Sequence, residues 1–252
     1  MASSVKVSNA ASPNFLHANS RPEDSTSVTV RDHKTVTCSS DELKFEAGAS
    51  QQIVWGTNEP ISSSSSSSSN FLISSPYNEE GHLLNLRDLD TPDRLLALAL
   101  TTMKPIRPDY ATAPYAESFN WGSIMSTLKT LGELESFAWA EPRVYYVVIF
   151  RSRLSPDTDV ARLHELDYLS QGEAAMSGGL LKYWFGTRDE RLQNLATCLW
   201  RSREDARRGG AGPWHRRARG AGKDLYAQIT FSTHRLVISE GFENWHFEKW
   251  EE

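Results

Sequence analysis

Two side chains of the sequence, His164 and Asp167, have the residue types and the spacing of an acid–base pair. They lie three positions apart in a predicted helix, so both project from one face, where a carboxylate can orient an imidazole. Glu173 lies further along the same helix, and His215 supplies a second imidazole later in the chain. If this face borders a pocket, the pattern predicts proton transfer by His164, Asp167 and His215. The more ordinary interpretation is a capping pair at the surface.

Neither a metal site nor a bound cofactor is predicted. The titratable residues between His164 and Glu173 lack the spacing and the cysteines of a zinc site. Cys198 lies in an apolar segment and is interpreted as a small core residue, not as a nucleophile. Because Cys38, the other cysteine, lies in a polar tail, no disulfide framework is expected. Reduced thiols favour the cytoplasm, with the nucleus as a second setting.

Three aromatic side chains, Tyr183, Trp184 and Trp200, are the candidates for the walls of a ligand site. Aromatic rings offer large apolar surfaces with a polar atom at one end, which suits a small apolar ligand. Rings on the face of a sheet also pack as ordinary core, and both interpretations stay open.

Seven arginines are concentrated in a short stretch that also contains His215. They could follow a phosphate backbone, or they could cover the solvated face of a helix. The net charge of -5, the pI near 5.8 and the lack of an RNA-binding aromatic signature favour the solvated face. Nucleic acid is therefore not an expected partner. The arginines are Arg201, Arg203, Arg207, Arg208, Arg216, Arg217 and Arg219.

A glycine-rich gap, Arg208–Pro213, divides the arginine-rich stretch. It lacks the Gly-Lys-Ser/Thr ending of a phosphate-binding loop and does not join a strand to a helix. The gap therefore predicts a break between two helical halves, with Pro213 at the start of the second.

The C-terminal part of the chain predicts an α+β fold. An unbroken run of β-branched and aromatic residues, Val144–Phe150, indicates a strand buried on both faces. Turn and cap signals predict four more strands and helices that begin near Ser155 and Ser202. The order β-α-β-β-α-β plus one strand is a ferredoxin-like antiparallel sheet with two helices on one face. The four strands are Leu180–Thr187, Asn194–Trp200, Ala227–Ser239 and Asn244–Trp250.

Both faces of this predicted sheet are apolar. Simple alternation places Leu181 with Tyr183 and Phe185 on one side of a strand, and Leu180 with Lys182 and Trp184 on the other. Helices cover one face, so the other needs a second cover. The candidates are the segment Pro92–Leu134, the same face of a second subunit, or a small apolar ligand.

The chain divides into three predicted parts. Residues 1–76 are rich in Ser, Thr and Asn and include eight consecutive serines, Ser62–Ser69. They cannot bury enough apolar surface to offset an ordering entropy of about 1–2 kcal/mol per residue, which predicts a disordered tail. Residues 81–140 contain two helices, Pro92–Met103 with Thr91 as its cap and Asn120–Leu134, joined by an aromatic connector. They predict a helical wrapping segment.

Residues 141–252 form the predicted ferredoxin-like domain. No apolar window has the length of a membrane span, and no signal peptide is evident, so no membrane contact is expected.

Three segments in chain order carry a resemblance to a family of uncharacterised fungal proteins of unknown function. They read VYYVVIFRSRL, HELDYLSQGEAAMSGGLLKYWFG and NLATCLWRSREDARRGGAGPWHRRA. The resemblance covers roughly Gly81 to the C-terminus.

A more remote resemblance is carried by Leu195–Ala206, where a strand with an aromatic end continues into Ser-Arg-Glu-Asp-Ala. This phrase is similar to the second half of dimeric α/β-barrel proteins of the antibiotic-biosynthesis monooxygenase type. The resemblance implies paired sheets of two subunits and a pocket between sheet and helices. Its members include cofactor-free oxygenases, haem-degrading enzymes and proteins without known activity. Trp200 matches a Trp of the haem-degrading branch, but His215 lies farther along than that pattern requires and Val144–Phe150 lacks its Asn.

Two main functions follow from these observations. The first is a domain that binds or transforms a small apolar ligand without a cofactor. The second is a non-enzymatic structural or interaction protein, whose sheet is covered by its own wrapping segment or by a partner. The partner could be a second copy of the chain, which would form a homodimer through the sheet face. Nucleic-acid binding through the arginine-rich helix is a third alternative. Whether the protein is an enzyme stays open, because a fold does not fix a function.

Overall fold

A computed structural model describes Asp41, Lys44 and residues 70–137 and 139–251 of the chain. The serine run Ser62–Ser69 and Cys38 lie outside the described residues, so the expectations about them stay predictions.

The predicted α+β fold is confirmed. Five antiparallel strands form one sheet, and the elements follow one another as β-α-β-β-α-β plus one strand. The strands are β3 (Arg143–Leu154), β4 (Leu180–Phe185), β5 (Gln193–Trp200), β6 (Tyr226–Ile238) and β7 (Trp245–Lys249). Their order in the sheet is β4-β5-β3-β6-β7, so that β3 lies at the centre and pairs with β5 on one side and with β6 on the other. A separate two-stranded ladder joins β1 (Phe71–Leu72) to β2 (Leu84–Asn85).

The helices fall into two groups along the chain. The N-terminal group is α1 (Thr91–Ala99), α2 (Tyr115–Ser118) and α3 (Trp121–Leu134). The second group is α4 (Val160–Ser177), α5 (Arg203–Gly209) and α6 (Pro213–Leu225). The predicted break in the arginine-rich stretch therefore exists, and Pro213 begins the second half.

The predicted cap of α1 is wrong by one residue. Asp90, not Thr91, precedes the helix with an extended backbone, and its carboxylate accepts the N–H of Asp93. A carboxylate also interacts with the positive end of the helix dipole, an advantage that a hydroxyl lacks. Ser202 caps α5 as predicted and accepts the N–H of Asp205.

The N-terminal group covers one face of the sheet. Phe119 and Trp121 are almost completely buried. The ring of Phe119 lies 5.3 Å from that of Trp184, and the ring of Trp121 lies 4.8 Å from that of Phe247. Of the three candidate covers, the chain's own segment occupies this face. A second subunit would have to displace it to reach the strands.

A β-bulge changes the predicted alternation along β4. The register with β5 shifts between Leu180 and Lys182, so the chain gains one residue there. Leu180 packs with Tyr183 on the side of α4, whereas Leu181 packs with Trp184 on the opposite side. The predicted sides of Leu180 and Leu181 are therefore wrong. Tyr183 and Trp184 do lie on opposite faces, as predicted.

The segment that leads into β2 is part of the fold. Ile73 and Ser75 are buried, although the sequence assigns them to the tail. The backbone carbonyl of Ser74 accepts the N–H of Tyr183, at 3.0 Å. This contact ties the N-terminal segment to β4 and places Tyr77 next to it. No helix in the described part of the chain is long and apolar enough to cross a membrane.

Lys182 is a buried amine on the face that the N-terminal group covers. Its side chain is 1% exposed, and no hydrogen bond or ion pair joins it to any residue that the structure describes. Burial lowers its pKa from 10.5 to about 7, because the charged form loses its hydration.

We expect the substitution Lys182→Met to stabilise the protein at acidic and neutral pH. The folded pKa is lower than the unfolded one, so the unfolded state binds more protons between pH 7 and 10.5, and the free energy of unfolding rises with pH there. Methionine keeps the apolar stem without the charge and should add roughly 2–4 kcal/mol to the free energy of unfolding at about pH 6, and less at about pH 9. Urea denaturation at the two pH values measures this difference. Lys129→Met, on the exposed side of α3, is the control; a Lys182→Met variant less stable than wild type at the lower pH would contradict the prediction.

Candidate functional site

The candidate site is a carboxylate between α4 and the sheet that accepts two tyrosine hydroxyls. Tyr77 donates to Oδ2 of Asp167 and Tyr183 donates to Oδ1, each at 2.5 Å. The two tyrosine rings are stacked, with centroids 6.4 Å apart and planes 10° from parallel. Three separate elements therefore converge on this carboxylate: the segment before β2, the helix α4 and the strand β4.

Burial and hydrogen bonding act in opposite directions on Asp167. Burial raises its pKa above the usual aspartate value, while the hydroxyls of Tyr183 and Tyr77 and the imidazole of His164 hold it down; the net shift is upward. The pKa of Tyr183 is raised well above the usual value by burial and by the carboxylate. Tyr183 therefore stays protonated and donates at neutral pH.

His164 is the partner that the sequence predicted for Asp167. It lies one helical turn earlier on α4, and burial lowers its pKa while the charge of Asp167 partly opposes the shift. The imidazole is therefore neutral at neutral pH, and a neutral imidazole near a carboxylate can act as a proton acceptor. The structure thus brings His164, Asp167 and Tyr183 together.

The cluster keeps hydrogen-bonding capacity that the described residues do not fill. Asp167 is surrounded by protein but retains partial exposure, and a carboxylate can accept more than two hydrogen bonds. Ser170, one turn further along α4, is buried, and its hydroxyl has no partner among the residues that the structure describes.

Cys198 lies opposite Tyr183 in the ladder, and burial raises the pKa of its thiol. It is a neutral thiol, in keeping with a core residue.

His215 lies at the N-terminus of α6, and its predicted part in proton transfer stays a prediction. Its backbone N–H and its Nδ1 both contact the carboxylate of Glu173, at 3.1 Å and 3.0 Å, and the N–H of Trp214 donates to the same carboxylate at 2.7 Å. Glu173 thereby caps the N-terminus of α6 from the neighbouring helix α4. Burial opposes ionisation of Glu173, but these donors lower its pKa overall.

The glycine gap is shaped around this carboxylate. A Cβ atom at Gly212 would lie 2.3 Å from the carboxyl carbon of Glu173. The gap therefore does hold an anion at a helix N-terminus, as phosphate loops do. The anion is the protein's own side chain, which leaves no vacancy for a phosphate there.

The three predicted wall residues do not line one pocket. Tyr183 and Trp200 lie on the side of α4, and Trp184 lies on the opposite face. Trp200 packs so closely on α5 that a Cβ at Gly209 would lie 2.2 Å from its ring. Of these three aromatics, only Tyr183 contacts Asp167.

Sequence reasoning missed Tyr77. It follows a serine-rich stretch without helical or strand periodicity, and nothing local links it to a helix ninety residues later. The one available signal was the apolar piece Phe71-Leu72-Ile73, whose first two residues form β1 and whose Leu72 and Ile73 are buried.

The seven arginines of the arginine-rich stretch have partners within the fold. Arg201 and Arg208 bind the buried carboxylate of Asp205, and Arg207 binds Glu204. The other four contact rings or helix-end carbonyls: Arg203 lies over Trp250, Arg217 over Trp214, Arg216 bonds to Ala211 and Arg219 bonds to Gly210. These contacts account for the arginine-rich stretch without a polyanion. No group of three or more His, Cys, Asp or Glu side chains within the described ranges could hold a metal ion.

A separate cleft of about 470 Å³ lies between the β1–β2 ladder and the C-terminal end of α4. Its lining is mostly apolar, with Leu83, Leu84 and Met176 on its walls and Glu80 and Asp88 as its carboxylates. Asp167 is not among its lining residues.

The family of the chain follows from comparison with known proteins. Residues 73–249 match the family model described as PB2B2.08-like. The chain belongs to this family. The UPF0643 protein PB2B2.08 of Schizosaccharomyces pombe is 37% identical over 196 residues, which cover 72% of this chain and 86% of that relative. The resemblance to uncharacterised fungal proteins is confirmed.

Some solved structures are similar to a smaller part of this PB2B2.08-like chain. Rv0793 from Mycobacterium tuberculosis is 19% identical with a TM-score of 0.32, over 35% of this chain and 91% of that one. A putative antibiotic biosynthesis monooxygenase from Nitrosomonas europaea is 14% identical with a TM-score of 0.31, over 38% and 88%. A mutant of SnoaB, a cofactor-independent oxygenase from Streptomyces nogalater, is 17% identical with a TM-score of 0.29, over 37% and 91%.

We expect the cap formed by Glu173 to be measurable in matched glycine variants. Gly212→Ala should lower the free energy of unfolding by about 1–2 kcal/mol, because the new methyl group displaces the capping carboxylate. Gly220→Ala, in the same helix with open space around it, should instead raise it by up to about 1 kcal/mol. Chemical denaturation of both variants gives the comparison, and equal effects would contradict the proposed cap.

The same cap should depend on pH. The folded pKa of Glu173 is lowered from 4.5, so its stabilisation is present above the unfolded pKa and is lost as the pH falls through the folded pKa. Glu173→Gln should therefore be less stable than wild type at neutral pH, and the two should converge in acid. Thermal unfolding followed across this range tests the convergence.

Proposed function

We propose that the chain binds a small apolar ligand that carries one acidic proton, between α4 and the sheet, and that Asp167 accepts this proton. The observation that carries the proposal is the carboxylate held by two tyrosine hydroxyls, partly exposed, with raised pKa and a neutral imidazole beside it. A structural carboxylate inside a fold is ordinarily paired with a cation. No salt bridge joins Asp167 to a cation among the described residues.

The chemistry assigned to the site is the transfer of one proton. The O–H or activated C–H bond of the ligand breaks, its proton goes to a carboxylate oxygen of Asp167, and the electron pair stays on the ligand. The hydroxyls of Tyr77 and Tyr183, freed from the protonated carboxyl group, can then donate to the ligand anion. His164 offers a route for the proton to solvent. No cofactor takes part in this step.

The ligand class follows from the surroundings of the carboxylate. The rings of Tyr77, Tyr168, Tyr183 and Phe185 lie within 6.4 Å of one another in a chain of contacts. Such rings favour a flat, apolar and preferably aromatic molecule. Phenols, naphthols and cyclic 1,3-diketones are the simplest molecules that combine this shape with one acidic proton.

We expect phenols or naphthols to raise the melting temperature of the wild-type chain and their methyl ethers to have no such effect. The ether lacks the proton that Asp167 accepts. Asp167→Asn should weaken binding about 10- to 100-fold, the effect of losing a hydrogen bond to a charged group. Because the pKa of Asp167 is raised, wild-type affinity should also fall as the pH drops through that pKa. Thermal shift, followed by calorimetry, measures both.

The control for this experiment is Glu165→Gln, which removes the same charge from an exposed position of α4. It should bind as wild type does. Equal binding of a phenol and its methyl ether, or unchanged binding by Asp167→Asn, would contradict the proposed role of the carboxylate.

A non-enzymatic interaction protein is the second candidate. It is favoured by the free edge of the sheet described below. The two candidates occupy different surfaces of the chain and can be tested separately.

A further inference from the structure

The strand β6 has a long edge that no other strand of the described residues covers. Its pairing with β7 begins at His234, opposite Lys249, and the N–H of Trp250 reaches the carbonyl of Thr233. From Gln228 to Ser232, within the described part of the chain, β6 pairs with β3 alone. We call Gln228–Ser232 the free edge. In an antiparallel ladder, alternate residues direct their N–H and C=O groups outward, so this edge offers unpaired backbone groups.

Among the described residues, the free edge lacks the features that ordinarily prevent the edge strands of two molecules from pairing. Natural edge strands are protected by charged side chains, proline, bulges or a covering element. The eight residues from Tyr226 to Thr233 contain no charged residue, no proline and no glycine. The ladder with β3 is regular from Gln228 onward, and its only irregularity lies at the very start of β6.

Two large apolar side chains project from the free edge. Ile229 is 47% exposed and Phe231 is 62% exposed. Phe231 lies opposite Phe150 of β3, with ring centroids 5.5 Å apart. Together they form an apolar patch directly beside unpaired backbone groups, a combination that is typical of strand-to-strand association.

We propose that the free edge pairs with the free edge of a second copy of this chain, antiparallel and about a two-fold axis. The strand is self-complementary: an axis at any of its central residues places Ile229 and Phe231 of one copy directly or diagonally beside those of the other. The product is a continuous ten-stranded sheet. The sheet face under α1 and α3 takes no part in it.

The exposed side chains of the free edge favour an antiparallel copy of the same strand as the partner. With the two-fold axis at Thr230, Ile229 of each copy lies opposite Phe231 of the other, so that both exposed apolar side chains are covered at once.

Sedimentation equilibrium of the full chain across the micromolar range tests the proposal. Wild type is expected to sediment as a dimer in equilibrium with the 28.3 kDa chain. Phe231→Lys should raise the dimer dissociation constant by about 100-fold, because each interface contains two copies of the changed side chain. Ile106→Lys changes a side chain of similar exposure, 59%, outside the strands of the sheet, and should leave the dissociation constant unchanged.

Hydrogen exchange supplies a readout that locates the contact. Amides of Gln228–Ser232 should gain protection as the concentration of wild type rises, and should not do so in Phe231→Lys. Phe231 is exposed in the single chain apart from its ring contact with Phe150, so the circular dichroism of dilute Phe231→Lys should match wild type and its free energy of unfolding should fall only slightly, by the loss of that one ring contact. A monomeric wild type, a Phe231→Lys variant that still dimerises, or protection elsewhere without protection of the free edge would overturn the proposal.

Discussion

The fold depends on a sheet that is apolar on both faces. Along β3 the side chains alternate between the two sides, yet Tyr145, Val147 and Ile149 are as thoroughly buried as Tyr146 and Val148. If either face were in contact with water, several hundred square ångströms of apolar surface would be hydrated. Each square ångström would cost about 25 cal/mol of stability. One face is covered by α4 to α6 and the other by α1 to α3. The N-terminal segment is therefore an obligatory part of the domain. The residues before β2 run beside the edge strand β4, which places Tyr77 next to Asp167 on the side of α4.

Most charged features of the second helical group are satisfied within the chain. Asp205 collects two arginines and a serine hydroxyl, and Glu173 fills the helix N-terminus that the glycine gap exposes. Buried or half-buried charges of this kind are ordinarily matched in this way. Asp167 departs from the pattern, because its two nearest donors are neutral hydroxyls. This difference separates a candidate functional carboxylate from the structural ones around it.

Sequence reasoning found the C-terminal domain because its signals are local. The β-branched run of β3, the serine cap of α5 and the proline that begins α6 each act within a few residues. The bulge after Leu180 and the contact of Tyr77 were missed for a common reason. Each is decided by tertiary packing: a one-residue shift that suits two faces of a sheet, and a contact between segments ninety residues apart. The cap at Asp90 was missed for a local reason, because two adjacent residues can both cap a helix and the carboxylate also interacts with the helix dipole. His164 and Asp167 were found by spacing, but spacing could not reveal that Glu173 and His215 stabilise a helix end.

Lys182 and Asp167 show that two buried ionisable groups on neighbouring elements can respond to burial in different ways. Lys182 lies on the face covered by α1 and α3, among apolar side chains, and its lowered pKa has burial as its one cause. When the amine loses its proton, the cost of a buried charge disappears. The neutral amine needs no charged partner, so it can occupy this closed position. Asp167 lies on the other face, keeps partial exposure and carries hydroxyl donors that favour its charged form against burial. Donors held in place for a charge are the arrangement on which the proposed proton transfer rests. The proposed site therefore lies on the face of α4, not on the face under the N-terminal helices.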